Sequence, residues 1–446
     1  MSTWRGLWLA AAVTALSAVG CGDDDGQADG ALADAATDPD AGSGPDAAPA
    51  DAQTFDAGTE ADSETDGQAD SGPDAGGTPV LEALLSALRS DPQDAMQTQS
   101  DGAGWPAPVE GGLVFVSLDP ALNRLAGDHE GWQGQAMNPD QGFHWLVVAV
   151  VAGSRYKFTD QASATWEADP WSRAYEWDAF GLMSRVPPTA AHLERFFNVA
   201  DANTAPRTVR VWVPAGTATH VLYVQDGQNL FNPNAPWGGW QLQVAAPAAM
   251  MMVGIDNSPA RTDEYTHVPD DIGSGPVGGQ GDAYADFVHV TVRALITAQY
   301  GEPPTVGLLG SSLGGLISFH IAARYPGAYD YAASLSGTMG WGSIGAGVTN
   351  ETLIERYAAA GHGATALFLD SGGNGTCFDG DADGIEDDDP TASDNYCENK
   401  QLESVLHASG YVAGLDVWHW WEPDALHNEA AWAARVWRPL DHFANL

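Results

Sequence analysis

Between residues 187 and 446, short apolar segments alternate with segments of helical spacing. Met250–Ile255 carries no charged or hydrogen-bonding side chain, which is typical of a strand buried on both faces. Helix-like segments cover Tyr284–Tyr300 and Leu313–Tyr325. The alternation predicts an α/β fold with a mostly parallel sheet flanked by helices. The other predicted strands are Val209–Val213, His220–Val224, Thr305–Leu309, Ala364–Leu369 and Leu415–Trp421.

The preceding region, residues 105–186, has a different pattern. Leu113–Leu118, Trp145–Val151 and Arg155–Phe158 are predicted strands separated by Gly, Asp and Pro turns, and no helical period intervenes. This favours a small all-β sandwich over 105–186. Leucines at helical spacing (Leu81, Leu84, Leu85 and Leu88) predict a short helical lead-in over 79–104.

The chain starts with a segment typical of export. Arg5 precedes a run of thirteen residues without charge, Leu7–Val19, which fits a signal peptide and is too short to span a bilayer. Small residues then precede Cys21, as in a bacterial lipoprotein signal over 1–21. Lipidation of Cys21 is expected, with simple secretion as the alternative. Contact with a membrane would then be through the lipid anchor alone.

Residues 22–78 contain sixteen acidic side chains, no Lys or Arg, and Phe55 as the one aromatic. Such a segment buries too little apolar surface to offset its ordering entropy, so it is predicted to be a disordered tether. The whole chain has a formal net charge of -43. That charge excludes a nucleic-acid binder that relies on phosphate neutralisation.

The strongest chemical signal is Gly310-Ser311-Ser312-Leu313-Gly314, which stands between a predicted buried strand and a predicted helix. This is the context of a nucleophile elbow, which exposes a serine hydroxyl at the carboxyl edge of the sheet. The Leu313 backbone N–H would then face a developing oxyanion. The alternative is a Gly-rich turn that only packs.

A serine hydroxyl needs a base to become a good nucleophile. His427 follows the last predicted strand and a loop, and it stands at the start of a helix-like segment. This is where the histidine of an α/β-hydrolase occurs in the chain order Ser, acid, His. Asp370, directly at the end of the strand Ala364–Leu369, is one possible acid.

Motifs across residues 187–446 resemble the esterase D-like family, which includes enterochelin, feruloyl and acetyl-xylan esterases and mycolyltransferases. The resemblance implies an α/β-hydrolase fold, a Ser-His-acid ester hydrolase, no cofactor for catalysis and a second oxyanion donor at the Gln228 backbone N–H. The segments that carry it are Val224–Phe231, Val253–Asn257, Arg261 with Glu264-Tyr265, Gly310–Gly315 and His427–Trp432.

The family pattern also bears on the acid. Its members carry the acid some five residues before an Asn that begins a helix, and here Asp394 precedes Asn399 by that spacing. The resemblance therefore favours Asp394, with Asp370 as the alternative and a Ser-His dyad as the remaining possibility.

The β module has a resemblance of its own, to early-set immunoglobulin-like domains such as glycogen-binding modules. The segments concerned are Leu125–Trp132, Met137, Tyr156–Phe158, Trp166 and Asp169-Pro170. Trp132, Trp166 and Trp171 are candidates for stacking on sugars, and packing inside the protein is the commoner role of such tryptophans.

An acidic insertion separates the two candidate acids. Asp379, Asp381 and Asp383 followed by Gly384 match the start of an EF-hand-like loop, and Asp387 or Asp388 is a further candidate ligand, so a structural Ca²⁺ is predicted. Position 12 is Pro390 rather than Glu, so the loop is not a complete EF-hand. A solvated acidic loop is the alternative.

Cys377 and Cys397 bracket this insertion. With Cys21 lipidated they are the remaining pair, and export supplies an oxidising compartment, so a disulfide is predicted. The sequence as a whole thus predicts an exported serine esterase that acts on a small-molecule or polysaccharide ester. The alternative is a non-catalytic, glycan-binding lipoprotein on a hydrolase scaffold.

Overall fold

The structure is a computed structural model that describes residues 78–235, 238–273 and 275–446. The predicted signal peptide, the lipidation of Cys21 and the tether up to residue 77 lie outside the described residues. Among the described residues, no helix combines the length and the apolar character needed to cross a membrane.

Two helices come first, α1 and α2, and correspond to the predicted helical lead-in. Asp91 caps α2, since its side chain accepts a hydrogen bond from the N–H of Asp94. The described helices are α1 (Thr78–Ser90), α2 (Pro92–Asp101), α3 (Leu242–Ala245), α4 (Arg261–Glu264), α5 (Gly281–Asp286), α6 (Arg293–Tyr300), α7 (Leu313–Arg324), α8 (Leu353–Ala360), α9 (Tyr396–Ala408), α10 (Glu429–Arg435) and α11 (Trp437–Ala444).

The segment Tyr284–Tyr300, predicted as one helix, has three parts. A π-helical stretch, Phe287–Val292, lies between α5 and α6.

The nine strands predicted from the sequence are all present, and most of their boundaries move by one or two residues. The remaining strands were not predicted. In the N-terminal region they are β1 (Ala107–Val109), β2 (Gly112–Ser117), β3 (Arg124–Gly127), β4 (Gln135–Ala136), β5 (Asn138–Asp140), β6 (Phe143–Val148), β7 (Arg155–Thr159), β8 (Trp166–Glu167), β9 (Ala174–Asp178) and β10 (Gly181–Arg185). Beyond residue 187 they are β11 (His192–Val199), β12 (Arg207–Val213), β13 (His220–Gln225), β14 (Met250–Ile255), β15 (Pro269–Asp271), β16 (Pro276–Gly278), β17 (Thr305–Ser311), β18 (Tyr331–Leu335), β19 (Ala366–Ser371), β20 (Cys377–Phe378), β21 (Asp387–Asp388) and β22 (Val417–Trp421).

The central sheet has the expected parallel arrangement. Six neighbouring strands run in the order β22-β19-β18-β17-β13-β14, and every pairing among them is parallel. Apolar side chains of α5, α7, α8 and α9 cover one face of this sheet, while α3, α10 and α11 cover the other. The carboxyl ends of the parallel strands therefore meet at one edge, where α/β proteins place their ligand sites.

The N-terminal strands are antiparallel and lie in two sheets. One sheet has the order β1-β2-β6-β5, and the other contains β3, β4 and β7–β10. Side chains from both sheets share a core that includes Phe115, Leu146, Tyr156 and Phe158. Leu85, Leu88 and Met96 of α1 and α2 pack on the first sheet. This region is thus built from β-sheet, as its sequence pattern predicts.

Hydrogen bonds cross the predicted boundary between residues 186 and 187. Strand β9 pairs with β11, and β11 pairs with β12, whose other neighbour is β14 of the parallel set. The N-terminal strands β9, β10, β7 and β3 therefore extend the central sheet. The two regions therefore share one sheet, in which the N-terminal strands are antiparallel and the six central strands are parallel.

Candidate active site

Ser312 lies in the sharp turn between β17 and α7. Its backbone angles, φ of 55° and ψ of −128°, lie in a region that residues other than glycine rarely adopt. This is the backbone strain expected of a nucleophile elbow. A Cβ at Gly310 would lie 2.3 Å from the carbonyl of Gly314, so a side chain at position 310 would collide with the first turn of the helix. The two glycines thus allow the strand to reverse into the helix beneath Ser312.

His427 lies in the loop between β22 and α10. Its Nε2 is 3.0 Å from Ser312 Oγ, and its ring meets the Trp432 ring edge-on at a centroid distance of 4.9 Å. Asn428 begins α10, because its side chain accepts a hydrogen bond from the N–H of Ala431. The cap fixes the start of the helix one residue after His427, and Trp432 on the same helix holds the ring.

Asp394 is the carboxylate that contacts this histidine. Its Oδ1 lies 2.8 Å from His427 Nδ1, and its side chain is fully buried. Because an ionised carboxylate only accepts hydrogen bonds, Nδ1 carries the proton and Nε2 is left to accept one from Ser312. Asp394 comes just before α9, at the end of the acidic insertion. The structure therefore brings together Ser312, His427 and Asp394.

Asp370, the alternative acid, does not reach His427. It is the next-to-last residue of β19, with its side chain towards α10, where its carboxylate accepts from Arg435 Nε at 2.9 Å. Burial raises the pKa of the Asp370 carboxyl to about 7, although the neighbouring guanidinium acts in the opposite direction. The suggestion that Asp370 completes the set is thus wrong for this structure, because the side chain of a strand-end residue is committed to a buried ion pair.

Ser336, Trp432 and Arg435 support Asp394 and were not singled out by the sequence. Ser336 Oγ donates to Asp394 Oδ2 at 2.9 Å and accepts from Trp432 Nε1 at 3.0 Å. Arg435 Nη2 lies 3.3 Å from the same carboxylate oxygen. One signal was present in the sequence, since Trp432 and Arg435 are three residues apart and so share a face of the helix that follows His427.

Two backbone N–H groups were predicted to hold an oxyanion. Leu313 is the first residue of α7, where N–H groups have no partner within the helix. Gln228 lies in a short 3₁₀ turn, Gly227–Asn229, directly after β13. A Cβ at Gly314 would meet Asp226 Oδ2 at 3.2 Å, so this turn packs against the nucleophile turn. Both donors thus belong to turns that touch one another.

Asp226, which precedes Gln228, has a left-handed backbone conformation with φ of 60°. Its carboxylate accepts from Arg261 Nε at 2.7 Å and from Asn257 Nδ2 at 2.7 Å. Arg261 is therefore an ion-pair partner of this turn.

Burial, helped by the nearby Asp226 charge, raises the pKa of Glu429, the first residue of α10.

The predicted disulfide joins Cys377 and Cys397, whose Cα atoms are 5.5 Å apart. Within the loop that it closes, Asp388 accepts hydrogen bonds from the backbone N–H groups of Asp394, Tyr396 and Cys397 at 2.7–3.0 Å. The sequence suggested Asp388 only as a further residue for the calcium loop. In the structure it instead holds the segment that carries Asp394.

The residues predicted to bind calcium lie further out on the same loop. Carboxylate oxygens of Asp379, Asp381 and Asp383 lie within 4.8 Å of one another, and all three side chains are exposed. Asp387 is outside this group, with an oxygen 3.4 Å from the Gly380 N–H. The residues present fit an oxygen-ligated cation in chemistry and spacing. Calcium binding stays a prediction.

The tryptophans considered for sugar binding divide into two sets. The rings of Trp132 and Trp166 lie 6.3 Å apart, and Trp166 is exposed. Trp171 packs against Phe197 instead, edge-on at 6.0 Å. Trp166 alone among the three is exposed, and Trp132 beside it is half-buried, as is Trp171.

Comparison with solved structures finds matches at low sequence identity and low TM-score. An enterobactin esterase from Shigella flexneri, solved with enterobactin, is 14% identical, with a TM-score of 0.42 over 75% of this chain and 92% of that one. An IroE-like serine hydrolase from Shewanella oneidensis is 16% identical, with a TM-score of 0.43 over 56% and 79%. A siderophore hydrolase from Aspergillus nidulans is 16% identical, with a TM-score of 0.40 over 56% and 94%.

Sequence comparison gives the family. The Bacillus subtilis protein YbbA, itself uncharacterised, is 32% identical over 123 residues, which are 26% of this chain and 49% of that protein. The chain thus matches about half the length of this curated relative. The model of the family described as "Putative esterase" matches residues 202–437, which contain Ser312, Asp394 and His427. The chain therefore belongs to this esterase family.

Proposed function

We propose that the protein is an exported serine esterase that hydrolyses carboxylic esters through an acyl-enzyme on Ser312. One observation carries the proposal: the His427 ring is within hydrogen-bond distance of Ser312 Oγ on one side and of the buried Asp394 carboxylate on the other. This is the arrangement by which a serine hydroxyl is activated and the resulting imidazolium is stabilised.

The first half-reaction follows from these positions. Ser312 Oγ attacks the ester carbonyl carbon as its proton passes to His427 Nε2, and the carbonyl oxygen becomes an oxyanion that the N–H groups of Leu313 and Gln228 stabilise. The C–O bond to the alcohol then breaks, and His427 returns the proton to the departing alkoxide. Ser312 is left esterified to the acyl group.

Water completes the cycle. His427 removes a proton from a water molecule, which attacks the acyl carbon, and the carboxylic acid leaves as Ser312 recovers its proton. Asp394 stays ionised throughout and keeps the imidazole in the tautomer that has Nε2 free to accept. No step in this sequence needs a metal ion or an organic cofactor.

The test is hydrolysis of p-nitrophenyl acetate by protein purified without its leader. Substitution Ser312→Ala should lower turnover by a factor of at least about 10³. The thermal unfolding temperature should change little, because the substitution removes one hydroxyl whose hydrogen-bond partner is His427. Covalent labelling with a fluorophosphonate should map to the peptide that contains Ser312. A label on another serine, or full activity of the alanine variant, would refute the proposal.

Export, the lipid anchor at Cys21 and the natural substrate belong to the same proposal. They are supported by the sequence features of residues 1–78 and by the resemblance to enterochelin, feruloyl and acetyl-xylan esterases. The substrate would be a siderophore-type ester or an acetyl or feruloyl ester on a polysaccharide. The few basic side chains in the sequence favour a substrate without strong negative charge.

The second candidate function is glycan binding by the early-set immunoglobulin-like β module, with the hydrolase fold as a scaffold. The exposed Trp166, with the half-buried Trp132 beside it, favours some role for this surface. A folded protein that turns over no short acyl ester and is retarded by polysaccharide in affinity electrophoresis would support the binding function. Loss of retardation in Trp166→Ala would assign it to this pair.

A further inference from the structure

A second carboxylate stands behind Asp394, linked to it through one arginine. Arg435 on α10 approaches Asp370 with Nε at 2.9 Å and Nη2 at 2.8 Å from Oδ1. The same Nη2 lies 3.3 Å from Asp394 Oδ2 and 3.1 Å from Ser336 Oγ. One guanidinium nitrogen is therefore shared between the two carboxylates and a hydroxyl.

Every member of this group is removed from solvent. Asp370, Asp394 and Ser336 are 0% exposed and Arg435 is 3% exposed. In such a site a charge is screened weakly, so each group acts strongly on the next. The two carboxylates and the guanidinium carry one net negative charge when both acids are ionised. If Asp370 is neutral, the group carries no net charge.

We infer that Asp370 and Arg435 are positioning residues for the esterase reaction: Arg435 holds Asp394 Oδ2 in place, and the charge of Asp370 offsets that of Arg435 so that Asp394 acts on His427 with its full negative charge. The inference rests on the proposed function. It assigns a role to the carboxylate that the sequence offered as the alternative acid.

The physical reason lies in the charge that forms on His427. As Ser312 attacks, the imidazole becomes an imidazolium, and the transition state is stabilised by negative charge beside it. Without a charge on Asp370, the guanidinium would oppose that stabilisation from the far side of Asp394. Arg435 is connected to His427 by hydrogen bonds through Asp394, and its charge also acts on the imidazolium through space.

Other ionisable groups face the same elements. Burial raises the pKa of Asp370 most strongly, the charges of Arg435 and of Arg438 on α11 lower it, the charge of Asp394 raises it, and the resulting pKa is about 7. Glu429 faces His427 from the start of α10, and the Arg261–Asp226 pair lies beside Glu429. A substitution at Asp370 leaves all of these groups in place. Their effect on kcat/KM is therefore the same in the wild-type chain and in the variant.

The test compares the wild-type chain with Asp370→Asn, which keeps the shape and removes the charge. At pH values below the pKa of Asp370 the wild-type carboxyl is protonated and resembles Asn. Above that pKa it is charged. The ratio of wild-type to variant kcat/KM should therefore rise with pH, from near one at about pH 5.5 to roughly tenfold at about pH 8.5.

Concentrations of active enzyme are taken from titration with the fluorophosphonate, so a smaller folded fraction of the variant does not enter the ratio. Glu264→Gln is the matched control, because Glu264 forms a buried pair with Arg207 at 2.6 Å that does not contact Asp394. Its ratio to wild type should not change with pH. The rate of Ser312 labelling provides a second readout that needs no ester.

Arg435→Lys and Arg435→Gln extend the test. The lysine variant keeps the charge and should retain more kcat than the glutamine variant, in which two buried carboxylates face each other without a cation. A flat pH ratio for Asp370→Asn in an active enzyme would overturn this inference and leave the proposed function standing. A wild-type protein that neither hydrolyses esters nor labels at Ser312 would overturn both.

Discussion

The nucleophile and the acid are held in different ways. The Ser312 turn is a continuous segment between β17 and α7, and its strained conformation depends on glycines two residues away on either side. Asp394 is held by Ser336 and Arg435, which come from other parts of the chain, and by Asp388 in its own loop. A catalytic residue can thus be positioned by its immediate neighbours or by groups distant in sequence, and only the first arrangement is visible as a motif.

The largest expected effect distinguishes the two buried aspartates. Asp394→Asn should lower kcat by about 10³–10⁴-fold, because the amide stabilises the wrong tautomer of His427. Asp370→Asn should cost about tenfold or less, because that side chain acts through Arg435. Steady-state kinetics with p-nitrophenyl acetate measure both. Equal losses would mean that the two carboxylates do not have separate roles.

Removal of the disulfide tests how Asp394 is positioned by its loop. In the double variant Cys377→Ser and Cys397→Ser, the free energy of unfolding should fall by about 3 kcal/mol in the chain-entropy model, for a loop with a sequence separation of 20. Because Asp388 in this loop holds the Asp394 segment, kcat should fall as well. Urea unfolding and kinetics of the same samples check the two effects. A drop in stability with unchanged kcat would show that Asp394 is positioned without the disulfide.

Gly310→Ala tests how Ser312 is positioned by the neighbouring glycine. The added Cβ would lie 2.3 Å from the Gly314 carbonyl, which must shift, and overpacking of this kind costs roughly 1–3 kcal/mol in stability. Fluorophosphonate labelling should slow with it, because the turn presents Ser312.

Gly216→Ala is the control for this substitution, since a Cβ there meets no atom within 4 Å and the backbone is not left-handed. It should leave both unfolding and labelling unchanged. If Gly310→Ala behaves like this control, the glycine requirement at the nucleophile turn is refuted.

The smallest expected effect concerns the acidic loop. If Asp379, Asp381 and Asp383 bind calcium with the millimolar affinity of extracellular modules, calcium roughly fivefold above Kd should stabilise the protein by about 1 kcal/mol. Thermal unfolding with and without calcium measures it. The response should vanish in Asp381→Asn with Asp383→Asn, and magnesium serves as the control ion. An equal shift in this double variant would refute the site.

The sequence alone was sufficient for the elements that depend on neighbouring residues. The apolar run Met250–Ile255 is a strand with the predicted bounds. The nucleophile turn at Ser312 lies between the strand β17 and the helix α7, as expected. The disulfide and the parallel direction of the central strands were also predictable, because one cysteine pair remained once Cys21 was assigned to lipidation and alternating elements favour parallel sheets. Backbone propensity and hydrophobic periodicity act over a few residues, so they can be read directly.

The choice between Asp394 and Asp370 was decided by the tertiary structure. Asp370 lies near the end of β19 and Asp394 follows that strand, and both are buried, so composition and spacing do not separate them without the family pattern. The difference is the partner: Arg435 lies beside Asp370, and His427 lies beside Asp394. That assignment depends on how α10 packs across the carboxyl edge of the sheet, and contacts between segments this far apart in the chain arise only when the whole domain folds.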